Sequence, residues 1–467
     1  MVPFFPKQIS MRAIIVYIIA LTSISLFYFN YSMRLGYIVL GCAWVIGFFS
    51  LVTLSGRRWR TLRNDQFTEV IFLVSLLMRI AWVLFSYYYY IRATGIPFEF
   101  DTADAQGYHY TAEWMAGQKW SATLADLFGD FGYISDSGYL LYLTAVYKVF
   151  GSNIIIARLL KAVLSSLTCI LIYKLASRTF GEGVGRMAGL MSVFMPNLII
   201  YCGYHLKETE MIFLEIAFLE RADSAFRNKK LDVWAIVVAT FCALSLFTFR
   251  TVLGAVALLA FATGALLSNI SGMKKKGKRT AVIGWSVACA LVLSGGTIAT
   301  EVEGYWEQRD QNIEQKRTMQ ELRGNRWAKY ATGTVMAPMA FVLPFATMID
   351  VDGQYNQQEK SGGNYVRNFM GIFALLAIYE AIRRKRWREF AMIGAFVIGY
   401  LAVIASSGYS NSERFLLPAL PCLIMMWAYG VSTLREKTYK LLASWCVVVF
   451  AMEFAWAFFK LGSRGLF

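Results

Sequence analysis

FTEVIFLVSLLMRIAWVLFSYYYYI, residues 67–91, is an apolar run of 25 residues closed by four tyrosines. As a helix it spans the hydrocarbon core of a bilayer with length to spare, and Tyr87–Tyr90 read as the aromatic belt at one interface. Directly after it comes FDTADAQGYHYTAEWMAG (100–117), which carries two aspartates, a histidine and a glutamate. Ionisable groups clustered just outside a span are costly to keep for packing alone, so this stretch reads as chemistry at a membrane surface.

Working outward, similar apolar runs recur along all 467 residues, of which 57% are hydrophobic and 16% charged, with mean hydropathy +0.48. Soluble domains carry about 25% charged residues, and short alternating strands of a membrane barrel are not evident. The reading is an all-α polytopic membrane protein, a single integral domain over 1–467. Spans are expected near 11–32, 34–54, 67–91, 153–178, 184–203, 208–226, 232–250, 251–270, 280–299, 367–382, 390–407, 415–433 and 441–459, about 12–13 in all. The first run lacks a cleavage site and reads as an anchor.

The net charge of +16 would suggest nucleic acid in a soluble chain. Here the cations concentrate in the short loops 56–64, 227–230, 272–279, 383–388 and 435–440, which fall on one side of the expected topology. That is the positive-inside pattern, and no nucleic-acid partner is implied. Seven cysteines, without a CxxC, read as small core residues.

Two larger segments fall on the opposite, outer face: 92–152, with amphipathic interfacial helices around Trp114, Trp120 and Tyr139–Tyr147, and 300–366. Within the second, 307–329 reads as an exposed helix. The apolar piece 331–349, with Pro338 and Pro344, reads as a re-entrant or interfacial helix, and 350–364, rich in Gly, Asn and Gln, as a mobile loop. No internal repeat or soluble catalytic domain is found, so any chemistry must come from loops and helix ends.

This topology collects Asp101, Asp104, His109, Glu113, Arg158, His205, Lys207, Glu208, Arg250, Glu413 and Arg414 at one boundary. A carboxylate there can serve as general base toward an acceptor hydroxyl, and cations can hold a phosphate and stabilise it as a leaving group. Substrates with a lipid tail and a phosphate head would place their reactive bond at that depth. Plainer roles stand beside these: Asp101 and Asp104 as solvated or helix-capping residues, Lys207 as a snorkelling cation, Arg250 and Arg414 as headgroup contacts. The two histidines with nearby carboxylates permit a divalent cation, yet no spacing demands one. Arg79 within a span needs a partner, for which Glu215 and Glu220 are the candidates.

With these residues in view, the chain resembles the GT-C superfamily of polytopic glycosyltransferases, especially bacterial relatives of protein O-mannosyltransferases and of the lipid A aminoarabinose transferase. The resemblance rests on DAQGYHYTAEWMAG (104–117), on GYLLYLTAVYKVFGSNIIIARLLKAVLSSLTCILIYKLASRTFG (138–181), on Leu206–Glu208 and on ERFLLPALP (413–421). It covers roughly 100–260 and a local piece near the C-terminus. Where the family often has adjacent acids, Asp104 here is followed by Ala105, so metal dependence does not carry over.

The resemblance implies an inverting transferase of the bacterial inner membrane that uses a polyprenyl-phosphate sugar at the periplasmic face. Its acceptor would be a glycolipid, a polysaccharide or a protein. Asp104 would be the base with Asp101 supporting it. Lys207, Arg250 and Arg414 would hold the phosphate, and Glu208 would position a cation or sugar hydroxyl. The alternatives are a surface-polysaccharide polymerase or ligase, in which 300–366 would be catalytic, and a lipid-linked sugar transporter, which predicts inverted repeats.

Overall fold

The computed structural model describes residues 4–100, 102–128, 134–227, 232–267, 339–351, 353–406 and 412–466, with positions 311, 314, 315 and 318. The described residues fold into helices, and their one β-type pairing is an isolated bridge between Ser32 and Ile349. In order these are α1 (Lys7–Phe27), α2 (Leu35–Arg58), α3 (Asn64–Thr94), α4 (Ala103–Ala116), α5 (Trp120–Phe128), α6 (Ser137–Phe150), α7 (Ile154–Phe180), α8 (Glu182–Phe194) and α9 (Pro196–Ile200). They are followed by α10 (Glu208–Arg227), α11 (Val233–Phe249), α12 (Thr251–Leu267), α13 (Tyr355–Glu359), α14 (Ser361–Arg383), α15 (Ala391–Ser406), α16 (Glu413–Leu416), α17 (Leu420–Ser432) and α18 (Glu436–Gly462).

Eight helices among the described residues are long and apolar enough to cross a membrane, or nine if the bent pair α8–α9 counts as one span. The protein is therefore a multi-pass, all-α membrane protein. Four of the thirteen expected spans are not among these. Helix α10 forms where expected but carries Glu208, Glu210, Glu215, Glu220 and Asp223. Helix α11 is apolar but 17 residues long, about 25 Å at 1.5 Å per residue, and α12 is apolar and described from Thr251 to Leu267. The expected span at 280–299 lies outside the described residues. Positions 311, 314, 315 and 318 are helical and exposed, as expected for 307–329, and the rest of that stretch is not described.

Burial sorts the spans into a centre and a rim. The Glu413–Ser432 span is 89% buried and the Lys440–Gly462 span 22%, so α17 is a central post and α18 a lipid-facing one. A Cβ on Gly430 of α17 would overlap the Phe373 carbonyl of α14; the bare glycine lets two central backbones meet, as small residues do in membrane bundles. Polar anchors complete the seams: Tyr365 donates to the Ala13 carbonyl at 2.7 Å and Trp445 to the Phe369 carbonyl at 2.9 Å.

The 56–64 loop, the α7–α8 turn, the lower part of α10 and Phe390 share one end, while most of the basic loop 227–230 and all of 272–279 lie outside the described residues. Arg186 donates to the carbonyls of Trp59, Arg60 and Leu62, Arg178 pairs with Glu220 and Asp223, and Phe180 packs on Phe390. Arg79 does not meet the expected acids. It is fully buried and donates to Ser165 Oγ, Ser75 Oγ and the carbonyls of Ser192 and Val193, with a contact to Cys169 Sγ. The Ser- and Cys-bearing faces of α3 and α7, with the end of α8, solvate the guanidinium, and no carboxylate among the described residues pairs with it.

The other end holds the interfacial elements. Helices α4, α5 and α6 form as expected, with Trp114 and Trp120 exposed. Gly95, at φ +80°, closes α3 in the left-handed conformation that glycine adopts without strain. Two expectations fail here. Of the helix expected over 331–349, residues 331–338 lie outside the described residues, and 339–351 are a largely buried irregular segment with no α-helix. Residues 355–364 are helical and largely buried, forming α13 and the first turn of α14, not a mobile loop.

Candidate functional site

At this end a cavity of about 370 Å³ opens between α4, the 201–206 turn, the 344–347 segment, α13–α14, α16 and α18. Of the residues singled out from sequence, Asp104, Glu413 and Arg414 line it. Asp104 lies in the first turn of α4, whose N-terminus follows a chain kept near the interface by the end of α3. Its Oδ2 accepts from Arg414 Nη1. Arg414 Nε donates to Glu208 Oε1 at 2.5 Å. The side chain of Glu208 is wholly buried, that of Arg414 is 21% exposed and that of Asp104 57%. The guanidinium is thus held from behind by a buried carboxylate, while the carboxylate in front of it reaches open space.

Glu413, next in sequence, turns the opposite way. It pairs with Lys360 at 2.8 Å, accepts from Asn197 Nδ2 at 2.5 Å and from Tyr201 OH at 3.2 Å. Lys360 also sits over the rings of Tyr201 and Tyr204 at 5.4 and 5.6 Å, a cation–π contact at each face. Two adjacent residues of one short helix therefore build two separate cation–carboxylate pairs, and both pairs face the cavity.

The remaining predicted residues stand behind this layer. Arg250 approaches Glu208 at 3.5 Å, donates to Tyr400 OH at 3.3 Å and lies over Phe415 at 4.6 Å. Lys207 pairs with Asp136 and donates to the Phe249 carbonyl at 2.5 Å, well inside the protein. Burial, then the neighbouring Arg250, pushes its ammonium well below the usual lysine range. Neither lines the cavity, so Lys207 is not the snorkelling headgroup contact, and its placement does not make it a phosphate ligand. Asp101 lies outside the described residues.

His109, His205 and Arg158 form a third group under α4. His109 Nδ1 is 2.8 Å from Tyr147 OH, which is 3.1 Å from His205 Nε2. Burial lowers the pKa of both rings, His205 most, so they are neutral at pH 7. Arg158 pairs with Glu99 at 3.7 Å and donates to the Pro97 carbonyl at 2.7 Å. Glu99 reaches the cavity, accepts from the His205 backbone N–H at 3.1 Å, and has its carboxyl pKa raised by burial despite Arg158. No cluster of three or more metal-ligating side chains occurs among the described residues.

Several cavity residues carried no signal in the sequence reading: Glu99, Tyr201, Tyr204, Gln357, Lys360, Asn364 and Trp456. Lys360 was hidden in a run whose composition suggested a loop. The informative feature there is a lysine between an acid and the first turn of a long apolar helix. Beside it, Glu359 accepts from Tyr90 OH at 2.6 Å and Tyr204 OH at 3.0 Å, and burial lifts its pKa to about 7. Compared with known proteins, the chain matches no family model and no curated sequence.

Proposed function

We propose that the protein is a membrane glycosyltransferase of GT-C-like architecture. It transfers a sugar from a polyprenyl-phosphate donor to a glycolipid, polysaccharide or protein acceptor at the outer face of a bacterial inner membrane. One observation carries the reading: a boundary cavity in which Asp104, more than half exposed, is held by an arginine that is itself anchored on buried Glu208. A bifurcated guanidinium of this kind can exchange one carboxylate for a phosphate without losing its anchor.

In the resting arrangement Arg414 occupies Asp104. When a donor phosphate enters, Arg414 turns one edge to it while its Nε stays on Glu208, and Lys360 supplies the second cation. Asp104 is then free to take the proton from the acceptor hydroxyl as that oxygen attacks the anomeric carbon. The carbon–oxygen bond to phosphate breaks, the polyprenyl phosphate leaves with the electron pair, and inversion follows from the direct displacement. In this scheme Arg414 holds the phosphate, as expected from sequence, with Lys360 in place of the expected Lys207 and Arg250. Arg250 and Lys207 act from behind by holding Glu208 and the turn that precedes it.

The test is transfer in proteoliposomes from a panel of radiolabelled polyprenyl-phosphate sugars to membrane-extracted acceptors. Asp104→Asn should lose at least about a hundredfold in rate, the usual scale for removing a general base, with unchanged thermal stability. Wild-type rates in that variant would end the assignment. A second reading, a surface-polysaccharide polymerase or ligase acting on lipid-diphosphate donors, draws support from Lys360, Gln357 and Asn364, which bring the 300–366 segment into the cavity. Turnover of diphosphate-linked but not monophosphate-linked sugars would favour it.

A further inference from the structure

The hydrogen bonds beneath α4 form a chain with a fixed direction. The Tyr147 hydroxyl has one proton to give and stands between two ring nitrogens, 2.8 Å from His109 Nδ1 and 3.1 Å from His205 Nε2. The other nitrogen of His205, Nδ1, is sealed from solvent and has no partner. If Tyr147 donated to His205, the proton of that neutral ring would sit on Nδ1 as a buried N–H without an acceptor, a rare defect in folded proteins. The chain therefore runs the other way: His205 Nε2–H donates to Tyr147, and Tyr147 O–H donates to His109 Nδ1. His109 keeps its own proton on Nε2, which is not among the sealed, unpartnered atoms.

A chain of this direction has no place for a second proton on His109. An imidazolium donates from both nitrogens, so Tyr147 would have to turn its hydrogen to His205 and force a proton onto the sealed Nδ1. Of the influences on His109, burial opposes its charged form most, Glu113 one turn along α4 favours it, and Arg158 of α7 opposes it. Glu113 is itself engaged by Ser152 at 2.6 Å, and Glu99, from the segment before α4, by Arg158 and the His205 N–H. At His205, Arg158 and Lys161 both oppose positive charge, so that ring does not take up the proton in its place.

His109 stands five residues beyond Asp104 on the same helix. Among the described residues, two side-chain hydrogen bonds leave the first half of α4: Asp104 to Arg414 and His109 to Tyr147. The second leads on to His205, three residues before Glu208, which is the buried anchor of Arg414. The chain thus closes a ring through Asp104, Arg414 and Glu208, tying the two carboxylates together from behind.

We propose that the His109–Tyr147–His205 chain is a positioning device for Asp104, which holds α4 against the turn before Glu208 only while His109 is neutral. This role rests on Asp104 being the base and sets an acid limit on its use. Because the His109 pKa is lowered in the folded protein, the stability it lends is fully present above the ordinary histidine value of 6.5 and is lost as pH falls through the lower folded value.

The experiment uses the full chain in nanodiscs, without donor lipid. The chain has two histidines, so ¹⁵N-histidine labelling leaves two imidazoles to follow by NMR. At neutral pH both rings should carry their proton on Nε2, and on acidification His109 should titrate before His205. Hydrogen exchange, corrected for its intrinsic pH dependence, should show protection over residues 103–116 falling about tenfold or more across the His109 titration, the scale of one buried hydrogen bond.

His109→Asn puts an amide oxygen where Nδ1 stood, which accepts from Tyr147 and takes no proton. Its α4 protection should match the wild type at neutral pH and stay level on acidification. In the transfer assay its acid limb of kcat should lie at lower pH than that of the wild type. A His205 proton on Nδ1 at neutral pH overturns the proposal. So does a His109 titration that leaves α4 protection unchanged, the same acid response in His109→Asn as in the wild type, or an unmoved acid limb. Protonation and exchange are read without turnover, so they stand apart from the transfer reading, which Asp104→Asn judges.

Discussion

Asp104, Arg414 and Glu208 form one unit although Asp104 and Arg414 lie 310 positions apart. Asp104 was legible because an acid directly beyond an aromatic-belted span has few structural uses. Its pairing with Arg414 was not, because contacts between distant helix ends depend on a bundle that local patterns do not specify. Removing the anchor should separate binding from folding: Glu208→Gln is expected to raise the donor KM by about tenfold to a hundredfold, the range for weakening one charge-assisted contact, with a smaller effect on kcat. Donor titrations at saturating acceptor would measure this split. Glu359 carries a pH signature. Its carboxyl is raised by burial from the model-peptide value of 4.5 to about 7, so its protonated form is favoured in the folded state. The stability it contributes is fully present below pH 4.5 and is lost as pH rises through about 7. Glu359→Gln, which keeps a neutral hydrogen-bonding group beside Tyr90 and Tyr204, should therefore melt higher than wild type at pH 8 and close to it at pH 5. Melting curves at the two pH values decide it.

The elements show where composition misleads. The stretch 355–364 has the Gly, Asn and Gln content of a loop, yet it folds as α13 and the start of α14 because it is buried against α2, α9 and the cavity wall. Two of its amides are tied to charged side chains, Gln357 to Lys460 and Gln358 to Asp350, a tertiary effect that no local propensity contains. The reverse happens at 339–351, whose apolar content suggests a helix. It is instead an irregular segment tied down by Asn368, which donates to the carbonyls of Val342 and Pro344 and accepts from the Ala346 N–H. Arg79 was rightly read as a residue that needs partners, but the partners are hydroxyls and carbonyls of α3, α7 and α8. Arg79→Leu would leave Ser165 Oγ and the Ser192 and Val193 carbonyls short of a donor, at about 1–3 kcal/mol for each group left unsatisfied. The expected outcome is a clear loss of detergent-solubilised monomer and a lower melting temperature, read by fluorescence-detected size exclusion. A wild-type profile would show that the seam between α3 and α7 does not depend on the guanidinium.

At the scale of the whole molecule, the apolar runs specified an all-α multi-pass protein and most of its helix positions. Among the described residues the count is lower because acidic α10 and the 17-residue α11 pass an eye for apolar runs but not the length and composition required of a span, while α12 is described only to Leu267 and the expected span at 280–299 lies outside the described residues. Among the described residues, the basic 57–63 loop meets α8, and the α7–α8 turn meets Phe390, next to the basic 383–388 loop, at the end away from the cavity. Single cysteines at Arg58 and Arg384 should accordingly react with an impermeant maleimide from one side of sealed vesicles, and cysteines at Gln118 and Tyr355 from the other. The central claim is that the cavity between Asp104 and Lys360 performs sugar transfer from a lipid-phosphate donor. Its most direct test is single-turnover transfer from a radiolabelled polyprenyl-phosphate sugar in proteoliposomes, comparing wild type with Asp104→Asn at matched melting temperature. The account predicts product from the wild type and at least a hundredfold slower formation from the variant, the scale expected for a lost general base. Equal rates from the two proteins, or no product from any lipid-phosphate sugar with the wild type, would contradict it.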